Sequence, residues 1–419
     1  MMIRKRMWLP GAGMLLLMLA GTGLQAQEAR PLEYNNKGVE AFNAGEYSQA
    51  ISLLEQAYTL SPESEVVRRN LCNSYQGIAN THGLKKEFRK AVPYLERAVD
   101  IDPENASPRT QLGSYYLNLG DVSAGIRQIE EAIRIKPGDL NAHEMLGQAY
   151  YMDNDLASAR IQWDYVLEMD PDRHELRKRY EKAFREESVE YDFNRWKSRH
   201  FSITYPPGVL PAVRSTVASV LDRAYIDIGR TLGGIYPPQP IYVVLYTAEQ
   251  FTEATRLEGH IGAVYDGKIR SPLTDGNGAW LSQEELRRRL VHEYVHVAVR
   301  SIAGDKLPWW LNEGLAEALS RTFENDDAAR LRELYASGTV YSFSQLSGSQ
   351  VSSKNPEALR IAYLQSHAAV DLLWKRFGRA RMMTFLRSLS SGMNTAQAFQ
   401  SAYRRKLEDF EWDLAAAFQ

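Results

Sequence analysis

SQEELRRRLVHEYVHVAVRSIAGDKLPWWLNEGLAE, residues 282–317, is the stretch on which the reading of this 419-residue chain turns. Its first half has helical periodicity. Leu290, Val291, Val295 and Ala298 supply the apolar positions, and Ser282-Gln-Glu-Glu285 is a capping box opening a helix that runs to about Ile302. On such a helix His292 and His296, four residues apart, share one face and converge on one point. Neutral imidazoles at that spacing are what a zinc ion requires. Glu293 lies about 100° round the helix, close enough to polarise a water held beside an ion. Gly304-Asp305 then gives a turn, and Pro308 stands near the first turn of a second helix that folds back antiparallel. Glu313 and Glu317 are again four apart, so two carboxylates project from one face, with Glu313 brought towards the histidines. Two His and one carboxylate leave a fourth position open, the pattern of a catalytic zinc site. The plain alternative is a pair of satisfied histidines on a half-buried helix.

Upstream of this stretch the composition alternates between strand and helix signals. Phe201-Ser-Ile-Thr-Tyr205 reads as a strand stopped by Pro206-Pro207, Pro211 to Thr231 as a helix, and Ile241 to Tyr246 as a strand after Pro237-Pro238. Ala263-Val-Tyr-Asp-Gly-Lys-Ile-Arg270 is a further strand-like segment inside a Gly-rich stretch. From Ser282 onward the chain reads as mostly helical, so residues 198–419 are expected to form an α+β domain.

Further upstream the chain repeats itself. Pro103, Pro137 and Pro171 recur every 34 residues, and aligning on them superposes Leu112-Gly113 with Leu146-Gly147, Tyr116 with Tyr150, and Ala98 with Ala132. Leu95, Ile129 and Trp163 fall in one further column. An earlier copy ends at Pro62, with an insertion around His82 to Phe88. This period and residue order resemble the tetratricopeptide repeat, a helix-turn-helix unit that buries its apolar face only when stacked. The expectation is an all-α solenoid over residues 32–190, about four repeats closed by a capping helix over Arg173 to Ser188. Its concave groove would hold peptides or a protein partner, or the array would serve only as a spacer.

Residues 1–26 have the three parts of a secretory signal peptide. Arg4, Lys5 and Arg6 precede an apolar stretch from Met14 to Ala20, and Leu24-Gln25-Ala26 offers a cleavage site. That implies a periplasmic or secreted protein with no integral membrane span after cleavage, an uncleaved anchor being the alternative. The lone Cys72 excludes an internal disulfide framework and a cysteine-based zinc site, and reads as a small buried hydrophobe. A formal net charge of -2 gives no sign of nucleic acid as a partner. Arg287-Arg288-Arg289 reads as a solvated helix face. His82, His143, His174, His200 and His260 have no metal-like spacing and read as ordinary surface residues.

The motifs His292-Glu-Tyr-Val-His296 and Trp310-Leu-Asn-Glu-Gly-Leu-Ala-Glu317 resemble those of the gluzincin metallopeptidases, in particular the peptidase MA-like group that often follows tetratricopeptide repeats. That resemblance implies an α+β zincin-like fold, Zn2+ as cofactor, His292, His296 and Glu313 as its ligands, and Glu293 as general base. It places Glu317 where it accepts a hydrogen bond from a ligand imidazole, a position more often Asp in that group. It also implies that Ala263, Val264 and Tyr265, in the segment Gly262 to Arg270, form an edge strand pairing with extended substrate; an ordinary surface hairpin is the alternative. A Tyr or His of a downstream helix would steady the oxyanion, and Tyr363 is the candidate, with His367 four residues on. The implied activity is hydrolysis of peptide bonds in exported or envelope polypeptides, with the repeats recruiting substrate or partner. An endopeptidase is expected, because the edge segment offers Asp266 and no Glu to anchor a free amine. The rivals are a non-catalytic scaffold with a retained zincin domain and a zinc hydrolase of non-peptide amides.

Overall fold

The computed structural model describes residues 30–257, 263–304, 307–347 and 355–419. The expected signal peptide (1–26), Gly262, His260 and the turn residue Asp305 lie outside the described residues. The chain divides into two compact units, one comprising 1–150 with 161–172 and the other 151–160 with 173–419.

The first unit draws on antiparallel helix pairs: α1 (30–43) and α2 (Tyr47–Leu60), α3 (Glu65–Leu84) and α4 (Phe88–Ile101), α5 (Ala106–Asn118) and α6 (Val122–Ile135), α7 (Leu140–Met152) and α8 (Leu156–Met169). Pro62, Pro103, Pro137 and Pro171 each stand in the turn after the second helix of a pair. A proline has no N–H to continue the ladder, so each helix stops there. The insertion before Pro103 lengthens α3 to 20 residues where α5 has 13. Packing within the pairs is periodic. A Cβ at Gly38, Gly113 or Gly147 would strike Leu54, Ile129 or Trp163, in each case the side chain 16 residues on. Between pairs, the Tyr75, Tyr116 and Tyr150 hydroxyls donate to Glu55, Glu96 and Glu130, each 20 residues back. Cys72 is fully buried, and burial pushes its thiol up to about 12.

In the second unit α9 (His174–Glu190) leads into a five-stranded sheet of order β1-β2-β3-β5-β4. Its strands are β1 (Asn194–Lys197), β2 (Phe201–Tyr205), β3 (Ile241–Tyr246), β4 (Val264–Tyr265) and β5 (Ile269–Pro272). β2, β3 and β5 run parallel, whereas β1 and β4 are antiparallel edges. The alternation of strand residues sorts the faces. Ile203, Val243, Leu245 and Ile269 enter one core with α10 (Pro211–Thr231) and α12 (Gln283–Ala303). Val244 and Tyr246 point the other way, against Val189 of α9 and Phe251 and Ala254 of α11 (Ala248–Thr255). After α12 come α13 (Trp309–Ser320), α14 (Asn325–Ala336), α15 (Phe343–Ser347), α16 (Pro356–Ser390), α17 (Thr395–Tyr403) and α18 (Leu407–Ala416). This unit is mostly helical, and its strand content is small.

Two sequence readings differ from this arrangement. Ala263 to Arg270 is not one strand but a hairpin of β4 and β5, because Gly267 takes φ 108° and reverses the chain after Asp266. α9, expected to cap the repeats, falls in the second unit, where Glu186 and Glu190 form ion pairs with Arg270 of β5.

Trp163 has no solvent exposure, and its indole N–H donates to the Glu144 carbonyl across the fourth pair. Trp163→Ala is expected to cost roughly 3–5 kcal/mol, measured by urea unfolding followed through helical circular dichroism.

Candidate metal centre

α12 is set by its own first turn. Ser282 caps it by accepting from the Glu285 N–H, and Glu284 and Glu285 lie against the positive end of its dipole. From Leu286 onward the helix is buried on nearly every side, with Leu290, Tyr294, Val295 and Ala298 fully enclosed. α13 begins after Pro308 and buries Trp310 and Leu311 completely. The two helices run antiparallel, since Arg287 reaches the Ser320 carbonyl while His296 meets Glu313.

Between them four side chains converge. Glu313 Oε2 lies 3.3 Å from His292 Nε2 and 3.4 Å from His296 Nε2. Donors about 2.1 Å from a tetrahedral ion stand roughly 3.4 Å apart, the spacing Glu313 Oε2 keeps from each imidazole nitrogen. His292, Glu293 and His296 also form a compact donor group within 4.8 Å. Glu313 is the better third donor, because one of its oxygens is equally near both imidazoles. On the far side of His292, Nδ1 faces Glu317 Oε1 at 3.1 Å, and Glu317 is braced by Arg321 at 2.6 Å. Arg321 also holds Asp327, which fixes the bracket from a third helix.

The electrostatics follow from burial. Glu293, Glu313 and Glu317 are all buried carboxylates. Desolvation works against charge on Glu313, but the two imidazoles outweigh it and hold its carboxyl far below the usual range. Glu317, likewise offset by His292 and Arg321, sits at about 2. Burial would depress His292, yet its bonds to Glu313 and Glu317 hold it up at about 10. Glu293 is raised, chiefly by burial, and its Oε2 has no hydrogen-bond partner among the described residues. A divalent cation supplies the charge that these carboxylates otherwise draw from imidazole protons. The donor set, the spacing and the unpartnered Glu293 oxygen therefore suit a metal-activated water.

The site opens into a cleft with two lobes that share Ala263, His292, Glu293 and Tyr363. One lobe, of about 560 Å³, is walled by Val264 and Tyr265 of the edge strand β4 and by Trp309 and Asn312. The structure thus places Ala263, Val264 and Tyr265 at the cleft. Tyr363 of α16 is there too, its ring 6.2 Å from that of His292 and 5.3 Å from that of Trp309. His367, one turn on, is not. It packs on Phe323 at 5.1 Å, and burial together with Arg321 lowers it to about 4.

Sequence reading missed several features of the site. Arg321 was findable, standing four residues after Glu317 at the end of the same helix. Arg288 and Arg289 pair with Glu285 as a helix face should, yet they also line the second lobe, so the arginine run is not merely a solvated face. Trp309 gave no signal beyond its apolarity. Among the other histidines, His82 meets Glu87, His143 meets Gln162 and His200 meets Gln239.

Residues 274–417 match the family model of the Peptidase MA superfamily. A Peptidase MA superfamily domain forms the C-terminal part of the chain. Tetratricopeptide repeat models match residues 34–64, 73–105 and 110–174. Among curated proteins, the anaphase-promoting complex subunit cut9 of Schizosaccharomyces pombe is 24% identical over 156 residues, covering 36% of this chain and 23% of its own. The Hsp70-Hsp90 organizing protein of Triticum aestivum is 26% identical over 107 residues, 26% of this chain and 17% of its own. The chain thus spans about a fifth of the length of these relatives. Among solved structures, the first tetratricopeptide repeat domain of Spaghetti (RPAP3), bound to an HSP90 peptide, is 19% identical. It covers 27% of this chain and 90% of its own at a TM-score of 0.27. No helix among the described residues is long and apolar enough to cross a membrane.

The carboxylate face of α13 is held by close approach to α16. A Cβ on Gly314 would stand 2.3 Å from the Ser366 carbonyl oxygen, a backbone atom that cannot rotate away. Gly314→Ala is expected to cost roughly 1–3 kcal/mol by forcing the helices apart, read as a lowered midpoint of denaturant unfolding.

Proposed function

We propose that the Peptidase MA domain is a zinc-dependent peptidase, an endopeptidase acting on exported or envelope polypeptides in the periplasm or outside the cell. The observation that carries this reading is the single Glu313 oxygen set equally near His292 Nε2 and His296 Nε2. His292, His296 and Glu313 would hold the ion. When bound, zinc polarises a carbonyl oxygen and acidifies water.

The chain's own groups supply the rest. The unpartnered Oε2 of Glu293, beside both histidines, takes a proton from the attacking water and passes it to the leaving nitrogen as the peptide bond breaks. Glu317 accepts from His292 Nδ1, which keeps Nε2 directed at Glu313. Tyr363, whose phenol burial keeps protonated, donates to the oxygen that gains charge. β4 is the outermost strand of the sheet among the described residues and lies beside the cleft, where an extended polypeptide would add as a further strand. The repeats would recruit that polypeptide or a protein partner.

Two outcomes test the reading. Purified protein is expected to carry one zinc per chain, and Glu293→Gln to keep the metal while losing about 100-fold or more in cleavage of an unfolded protein. Stoichiometric zinc without cleavage of any polypeptide by the wild type would leave the scaffold reading in its place. Glu317→Ala is expected to weaken zinc binding about 10- to 100-fold, measured by competition with a chelator.

A further inference from the structure

β4 is only two residues long, and among the described strands its neighbour is β5, with Val264 opposite Arg270 and Tyr265 opposite Ile269. A ladder of that length at a sheet edge does not hold its own position. Yet if this strand receives substrate, its backbone must stand at a fixed distance from His292 and Glu293. The turn between β4 and β5 shows what holds it. Asp266, the residue after β4, has one carboxylate oxygen 3.1 Å from Arg270 Nε and the other 2.5 Å from Lys182 Nζ of α9.

Behind that turn Arg270 is wholly enclosed, and each of its nitrogens is engaged. Nη2 pairs with Glu186 at 2.8 Å, and Nη1 with Glu190 at 3.3 Å and the Tyr246 hydroxyl at 2.5 Å. Lys268, the turn's third residue, is buried with Nζ on Asn154 Oδ1 at 2.7 Å. Alternate residues 266, 268 and 270 are thus all tied to partners on α9 or on residues 151–154. These lie on the sheet face away from α12. So deep a charge network contributes little net stability compared with apolar packing; what it supplies is a defined position.

We propose that Lys182, Asp266 and Arg270 are positioning residues that clasp the β4–β5 hairpin to α9 and so set the substrate-receiving edge against the metal centre. The role in substrate binding rests on the peptidase reading; the fixing of the strand does not. Lys182 and Asp266 form the outer, partly exposed half of the clasp, so they can be altered without emptying the core.

The experiment is a double-mutant cycle in the full-length protein with Lys182→Met, Asp266→Asn and both, and with Lys182→Arg as the conservative variant. Each single variant is expected to raise KM for an unfolded-protein substrate on the order of fivefold, with kcat and zinc content unchanged. The double variant should be little worse than either single, and Lys182→Arg should restore most of the loss. Hydrogen exchange at the amides of residues 263–266 should quicken in both single variants whether or not the protein cleaves anything. Quickened exchange in the variants, together with a wild type that cleaves no polypeptide, would keep the clasp and remove the peptidase reading. Unchanged exchange and unchanged KM would overturn the clasp, as would parallel falls in kcat and zinc content.

Discussion

Glu313 is a buried carboxylate on α13, facing α12 at a level where both helices are enclosed by apolar side chains such as Leu290, Val295, Trp310 and Leu311. Removing such a group from water costs several kcal/mol unless partners of opposite charge meet it with good geometry. Everything near it serves that requirement. The two imidazoles meet one oxygen, Glu317 takes the opposite nitrogen of His292, Arg321 neutralises Glu317, and Asp327 receives the rest of Arg321. The chain of alternating charge runs outward from the buried centre to the rim. Gly314 permits it, because only a residue without a side chain lets α13 lie directly on the α16 backbone.

What was legible in the sequence is what depends on helical period. His292 and His296 share a face by arithmetic, as do Glu313 and Glu317, and a turn between them settles the rest. The repeat array was legible for a similar reason, since each unit copies one contact. The Gly-to-large-side-chain approach recurs at 16 residues and the Tyr-to-Glu bond at 20. Period alone could not choose between Tyr363 and His367. They stand about 40° apart around α16, and that small rotation sends one ring to His292 and the other to Phe323.

Short edges and distant charge were not legible. Asp266-Gly267 carries a strong turn signal, but it sits between residues that each pass as strand formers, so a hairpin read as one strand. β1 left no clear alternation in Asn194-Arg-Trp-Lys197. Most of the Arg270 network was out of reach, because Glu186 and Glu190, unlike the nearby Asp266, lie 80 and more residues away on a helix whose pattern says only that one face is buried. A helix that looks like the end of a solenoid can equally be the cover of a sheet, and Glu186 and Glu190 decide it.

That network also has a timetable. Asn154 and Lys268 are 114 residues apart, and Glu190 precedes Arg270 by 80. At about 5–20 residues per second of synthesis, the carboxylates of α9 leave the ribosome roughly 4–16 s before the guanidinium that lets them be buried. During that interval α9 has every reason to keep Glu186 and Glu190 in water. Arg270, the last of their charged partners to be made, supplies the guanidinium against which both carboxylates are buried in the finished sheet.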